Sequence, residues 1–138
     1  MPLLTRLFIR TALAYFAAAL ITGVLTTARP VLPVAGAGLR PVYFHLLMVG
    51  WVTQLIVGVA LWMFPKHSQE RPRGSDTLSW ATYILLNAGL ILRAVAEPLM
   101  ATRIMGEGWG RLLAASALMQ MLAGWAFVAN IWARVKER

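Results

Sequence analysis

Four long apolar runs, separated by short polar segments, dominate the chain. They cover approximately residues 7–28, 43–64, 78–99 and 109–132. A helix needs about 20 mostly apolar residues to cross the hydrocarbon core of a bilayer, and each run reaches that length. None of them alternates apolar and polar residues in the way that a membrane-barrel strand does. The pattern therefore predicts an all-α membrane protein with four transmembrane helices.

The connections between the runs are short and contain most of the proline, glycine and charged residues. Short connections make consecutive helices antiparallel neighbours. We therefore expect residues 1–138 to form one domain, a four-transmembrane-helix up-down-up-down bundle. Within it, Pro41 suits the first turn of the second helix, and Ser75 or Asp76 suits the N-cap of the third.

Charge supports the membrane assignment and sets an orientation. Only 13% of the residues are charged, and the formal net charge is +8, but the basic residues flank the apolar runs. That placement indicates membrane topology and attraction to anionic lipid, so no nucleic-acid partner is expected. Eight of the 13 Lys and Arg residues lie on the side that holds both chain ends. The positive-inside rule then predicts that the N and C termini are cytoplasmic. The eight are Arg6, Arg10, Lys66, Arg71, Arg73, Arg134, Lys136 and Arg138.

Several kinds of chemistry are excluded by composition. The chain has no cysteine, which rules out disulfides, iron–sulfur clusters, c-type haem attachment and thiolate metal sites. Three amides, those of Gln54, Asn87 and Gln120, fall at about the same depth in different spans. Interhelical hydrogen bonding explains them more simply than a transport pathway does, because amides carry no proton and few ions.

His45 is the first candidate for a functional role. It lies one turn inside the second span, on the outer side, where an unpartnered imidazole is costly. One interpretation is a ligand, because imidazole is the commonest metal ligand and a usual axial ligand of haem iron. The other is a packing histidine with hydrogen-bond partners. Its position alone leaves both open, whereas His67 in the cytoplasmic connection reads as a solvated loop residue.

Arg93 is the second candidate, near the outer end of the third span and at about the depth of His45. Glu97 follows four residues later on the same helix face and can pair with it. Arg93 either snorkels to the interface in that pair, or it holds an anionic group such as a haem propionate. Arg29 and Arg40 lie on the same side and could assist.

The residues around His45 resemble a known membrane helix. They read Leu39-Arg40-Pro41, His45-Leu46-Leu47-Met48-Val49-Gly50-Trp51, Gln54-Leu55-Ile56, Gly58 and Trp62-Met63-Phe64-Pro65. This text resembles the second transmembrane helix of the haem–copper oxidase catalytic subunits, a superfamily that includes the nitric oxide reductases. The resemblance covers the first two spans well and the next two loosely. It implies that His45 ligates a low-spin haem b from the outer side.

The chain also departs from that family. The family's catalytic centre needs three further histidines, and its low-spin haem takes a second ligand from a later helix. This chain has two histidines in total, so it has no haem–copper centre of its own and no predicted catalytic residue. A second copy related by a twofold axis would bring another His45 to the same depth.

These observations lead to a main hypothesis and two alternatives. The main one is a homodimeric haem b protein of a bacterial or archaeal inner (plasma) membrane, working in electron transfer or haem handling. His45 would bind the iron, Arg40 and Arg93 the propionates, and Met48 and Trp51 would line the pocket. The first alternative is a cofactor-free accessory or assembly subunit of a respiratory oxidase or reductase complex. The second is a proton-coupled transporter that uses Glu97.

Overall fold

The chain folds into four long helices, as the hydropathy pattern predicts. A computed structural model describes residues 2–28, 38–65, 74–101, 108–132 and 134–135. Each helix is long and apolar enough to span a bilayer, which is consistent with an integral membrane protein. The helices begin up to four residues before the apolar runs, because backbone hydrogen bonds continue into the polar flanks. They are α1 (Leu3–Thr27), α2 (Leu39–Met63), α3 (Asp76–Ala101) and α4 (Gly108–Trp132).

The second helix changes its hydrogen-bonding pattern in the middle. It is α-helical over Leu39–His45, π-helical over Leu46–Thr53 and α-helical again over Gln54–Met63. The hydroxyl of Thr53 follows the wider spacing and donates to the carbonyl oxygen of Met48 at 2.8 Å. π-Helical turns are rare and are frequently found at functional sites. In this chain the wide turns begin directly after His45.

Helices α1 and α2 approach each other closely at glycine positions. A Cβ atom added to Gly50 would lie 2.8 Å from the side chain of Tyr15, and one added to Gly58 would lie 2.8 Å from Phe8. The first turns of α1 therefore lie against the last turns of α2. Small residues allow such close backbone approach in membrane helices. Packing here buries Phe8, Val57 and Leu61 in one core cluster.

A layer of polar side chains, one hydroxyl and two amides, joins α1, α2 and α3 in the middle of the bundle. The Gln54 side chain is fully buried, and its Nε2 donates to Oδ1 of Asn87 at 3.2 Å. The Thr11 hydroxyl donates to Oε1 of the same Gln54. The prediction that Gln54 and Asn87 bond across helices is confirmed. Gln120 behaves differently, because it donates to Ser116 on its own helix at 3.2 Å.

Two polar residues hold the helices together at the end of the bundle where α4 finishes. They are Asn130, in the last turn of α4, and Arg134, just beyond it. Asn130 accepts from the backbone N–H of Ser75 and donates to the Ser79 hydroxyl, both at 2.8 Å. Ser75 is the residue before α3, and its hydroxyl accepts from the N–H of Leu78 at 3.4 Å, so it is the predicted N-cap. The buried Arg134 guanidinium donates to carbonyl oxygens at the end of α2, those of Leu61, Phe64 and Pro65.

Helix α4 packs along α3 and leaves much of its own surface uncovered. Only 11% of its most apolar window is buried. Its exposed positions include a seven-residue repeat of small side chains at Gly110, Ala117 and Gly124. Arg29 and His67, which the sequence places in the connections, lie outside the described residues.

Candidate functional site

His45, Arg93 and Glu97 form one polar cluster between α2 and α3. Nη1 of Arg93 lies 2.9 Å from Nε2 of His45 and 3.2 Å from Oε1 of Glu97. The same Glu97 oxygen is 3.9 Å from Nδ1 of His45. The side chains are 30% exposed for His45, 19% for Arg93 and 10% for Glu97. The two residues singled out from the sequence are therefore in direct contact, and the predicted Arg93–Glu97 pair is present.

The neighbours of His45 determine which ring nitrogen carries the proton. A guanidinium can only donate, so Nε2 accepts from Arg93. Nδ1 lies 2.9 Å from the carbonyl oxygen of Pro41 and therefore donates its hydrogen there. In this arrangement the ring hydrogen lies on Nδ1, and the electron pair of Nε2 is engaged with Arg93. Metal-ligating histidines are commonly held in this way, with the second ring nitrogen donating to a carbonyl or carboxylate.

Arg93 extends the cluster from α3 to α4. Its Nε donates to the Ser116 hydroxyl at 3.4 Å, and that hydroxyl donates to the Gly89 carbonyl at 2.7 Å. Gln120 donates to the same Ser116 oxygen. A continuous chain of hydrogen bonds therefore runs from His45 on α2 to Gln120 on α4. It places a cation at the end of the bundle where α2 begins, with neighbours on three helices.

Glu97 is satisfied at one oxygen only. Within the described part of the chain, Oε2 is buried and has no hydrogen-bond partner. The start of α2 lies close to the same turn of α3, because a Cβ on Gly38 would come within 2.7 Å of the Glu97 carbonyl oxygen. Gly38 has a φ of +71°, a conformation that only glycine adopts without strain. This tight contact fixes the beginning of α2 beside Glu97.

An apolar groove of about 420 Å³ lies between α2 and α4, with α3 as its floor. Its volume is within the range of about 300–1,000 Å³ that is typical of small-molecule sites. Val49 and Thr53 contribute to it from α2, four and eight residues after His45, and Gln120 contributes from α4. The groove thus adjoins the polar cluster through the residues that follow His45 and through Gln120. Its other lining residues are Ile56, Val57, Thr82, Leu86, Met121, Ala123, Gly124 and Phe127.

The remaining predicted site residues lie elsewhere on α2. Arg40 lines a separate crevice between the end of α1 and the start of α2. The Trp51 ring packs on Phe16 of α1, with ring centroids 4.2 Å apart. Met48 is 53% exposed. The structure therefore brings Arg93 to His45, and it directs Arg40 and Trp51 towards α1.

Three features of the site are not apparent in the sequence interpretation. The hydrogen bond from His45 to the Pro41 carbonyl could have been predicted, because Pro41 lies four residues before His45 and the side chain of His45 reaches back one turn. The bond of Ser116 to Arg93 depends on how α3 and α4 are rotated. The π-helical turns have no signal in hydropathy. Among the described residues, no three His, Cys, Asp or Glu side chains converge in a metal-binding group.

Comparison of the chain with protein families, with curated proteins and with solved structures gives no match.

Proposed function

We propose that this chain is a membrane haem b protein in which His45 supplies an axial ligand. The observation that carries the proposal is the hydrogen bonding of His45: Nδ1 lies 2.9 Å from the Pro41 carbonyl oxygen, which leaves Nε2 as the nitrogen that accepts. The position of His45 at the edge of the π-helical turns adds support, because such turns are frequent at functional sites. The resemblance of α2 to a haem-ligating helix points to the same nitrogen.

The surroundings of His45 suit a haem in charge and polarity. The groove beside it offers apolar surface from Val49, Leu86 and Met121, which a macrocycle requires. Arg93 is a cation within hydrogen-bond distance of His45 and is the candidate partner for a propionate. Ligation at Nε2 requires the Arg93 contact to that nitrogen to break. A b-type haem with two imidazole ligands supplies one-electron transfer and leaves no open position for oxygen or nitric oxide.

The second ligand is proposed to come from a second copy of the chain. Twofold homodimers are the commonest oligomers, and a twofold axis would pair two His45 side chains at one depth. The uncovered face of α4, with its small residues, offers a surface for helix association in lipid. We further propose an up-down-up-down topology with both termini in the cytoplasm of a bacterium or archaeon. The contacts of Phe8 with Gly58 and of Ser79 with Asn130 support antiparallel neighbours.

The first test is the visible spectrum of protein purified in mild detergent after expression with added haem precursor. We expect a Soret band, split α and β bands on reduction, and about 0.5 haem per chain for a shared site. His45→Ala should abolish these bands, and His67→Ala, which changes the only other histidine, should leave them unchanged. Colourless wild-type protein, or an unchanged spectrum in His45→Ala, would refute the proposal.

A second test addresses the groove independently of the ligand. Gly124 lines the groove, and a Cβ added there meets no atom within 4 Å. Gly124→Leu is therefore expected to fold normally and to lower haem occupancy by filling the space. Gly110→Leu is the matched control, since Gly110 is equally unobstructed on the same helix and does not line the groove. Equal haem occupancy in the two variants would exclude the groove as the haem-binding surface.

The accessory-subunit function is favoured by one specific observation. The Arg93 contact gives Nε2 of His45 a protein partner, so the histidine is already satisfied without iron. The exposed face of α4 would then pack against a larger respiratory subunit. Co-purification of an untagged oxidase or reductase with tagged wild-type protein, lost in Ala117→Leu and retained in His45→Ala, would support this function over haem binding.

A further inference from the structure

The most unusual group in the bundle is the second oxygen of Glu97. The side chain is nine-tenths buried, and Oε2 has no partner among the described residues. A buried carboxylate oxygen without a hydrogen bond is costly. The other oxygen of the same carboxylate already accepts from Nη1 of Arg93. The unused acceptor is therefore beside the cation that blocks His45.

We propose that Glu97 is a positioning residue that provides Arg93 with a second docking place and so releases Nε2 of His45 for a ligand. This inference rests on the proposed ligand role of His45. In the observed arrangement, Nη1 of Arg93 is shared between His45 and Oε1 of Glu97. In the second arrangement, the guanidinium turns onto both carboxylate oxygens and gives up the imidazole.

The exchange is inexpensive because the hydrogen bonds balance. Arg93 loses a bond to His45 and gains one to Oε2 of Glu97. Arginine and carboxylate favour such two-bond pairing by their planar geometry, and residues four apart on a helix are close enough to form it. The ion pair stays intact throughout, so no charge is left alone in the apolar surroundings. Only the electron pair of His45 changes from engaged to free.

Removing Glu97 has opposite effects on His45 depending on whether Glu97 positions Arg93 or only packs against it. If Glu97 only stabilised the cluster, its removal would loosen Arg93 and expose His45. If Glu97 competes with His45 for Arg93, its removal leaves Arg93 on the imidazole and protects His45. The variant Glu97→Gln keeps the size of the side chain and removes its charge, so it discriminates between these two roles.

The experiment measures the reactivity of His45 without any haem. Protein in detergent is treated with diethyl pyrocarbonate, which attacks unprotonated imidazole nitrogen, and modification of His45 is followed by peptide mass spectrometry. His67 in the same sample serves as the internal reference. We expect Glu97→Gln to slow modification of His45 about fivefold, because a lost charge-assisted bond shifts Arg93 towards the imidazole. Arg93→Gln should accelerate it, and Glu97→Asp should restore part of the wild-type rate.

A second comparison keeps the result decisive if the single variant folds poorly. In an Arg93→Gln background, adding Glu97→Gln should no longer slow modification of His45, because no guanidinium remains to return to the imidazole. A slower rate in that background, or an equal or faster rate for Glu97→Gln alone, would overturn the proposal. Haemin titration of the same samples tests the haem hypothesis separately. A complete absence of haemin binding with the expected order of rates would reject the haem site and retain the role of Glu97.

Discussion

The Gln54–Asn87 contact is expected to contribute measurably to the free energy of unfolding. Gln54 makes three cross-helix bonds: it accepts from Thr11, donates to Asn87 at 3.2 Å and accepts a longer bond from Asn87 at 3.5 Å. Hydrogen bonds between membrane helices are worth about 0.6 kcal/mol on average and at most about 1.7 kcal/mol. Replacing Gln54 with the similarly shaped Met should therefore cost about 1–2 kcal/mol. Without Gln54 the single hydroxyl hydrogen of Thr11 turns to the Leu7 carbonyl, and Asn87 keeps its bond to Tyr83, so the loss should not be larger.

A double-mutant cycle isolates the bond between the two amides. The proteins are wild type, Gln54→Met, Asn87→Leu and the double variant, each unfolded reversibly by SDS in mixed micelles. Unfolding is followed by tryptophan fluorescence and far-ultraviolet circular dichroism. The coupling energy should be between about 0.6 and 1.7 kcal/mol. Additive single effects, within about 0.3 kcal/mol, would refute the argument that this pair holds α2 against α3.

Three further predictions concern the packing of the bundle, each checked by the same SDS unfolding. Arg134→Ala should lower stability by about 1.5–3 kcal/mol, because a charged donor to three carbonyl oxygens is lost, and Arg134→Lys should recover only part, since lysine lacks the planar fork. Gly58→Leu should lower the free energy of unfolding by about 1–3 kcal/mol through overpacking against α1, whereas Gly124→Leu should leave it nearly unchanged. Equal effects of the two substitutions would contradict the packing assigned to these glycines. Asn130→Leu should cost about 1–3 kcal/mol, because the Ser75 N–H loses its acceptor and the Ser79 hydroxyl oxygen loses its donor. An unchanged midpoint would show that this end of the bundle is held by other contacts.

The four helices were predictable because lipid imposes a simple requirement. A span must be long, apolar and internally hydrogen-bonded, and the length of each apolar run is visible directly in the sequence. The bond between Gln54 and Asn87 was also within reach, because polar side chains in apolar spans seek one another. The shared depth of His45 and Arg93 followed from the direction in which each helix crosses.

The contact between those two side chains was harder to predict. Helices α1 and α2 are apolar on all sides, so their sequences carry little information on which face turns inward. The rotation is decided by close contacts such as that of Gly50 with Tyr15. For the same reason, the sequence does not show that Trp51 and Arg40 face α1 whereas His45 faces α3. The π-helical turns could not be predicted from hydropathy either, because wide and regular turns contain the same apolar residues.

The π-helical segment has a consequence for how this chain tolerates insertion and deletion. Each of its wide turns encloses one more residue than an α-helical turn does, so 46–53 carries extra length without displacing the helix on either side. Deleting one residue there lets α2 close into regular turns, with His45 still facing Arg93 and Gln54 still facing Asn87. The same deletion between Gln54 and Met63 rotates the following part by about 100° and separates its partners. The segment is therefore the place where α2 can gain or lose one residue with the least displacement of the contacts on either side.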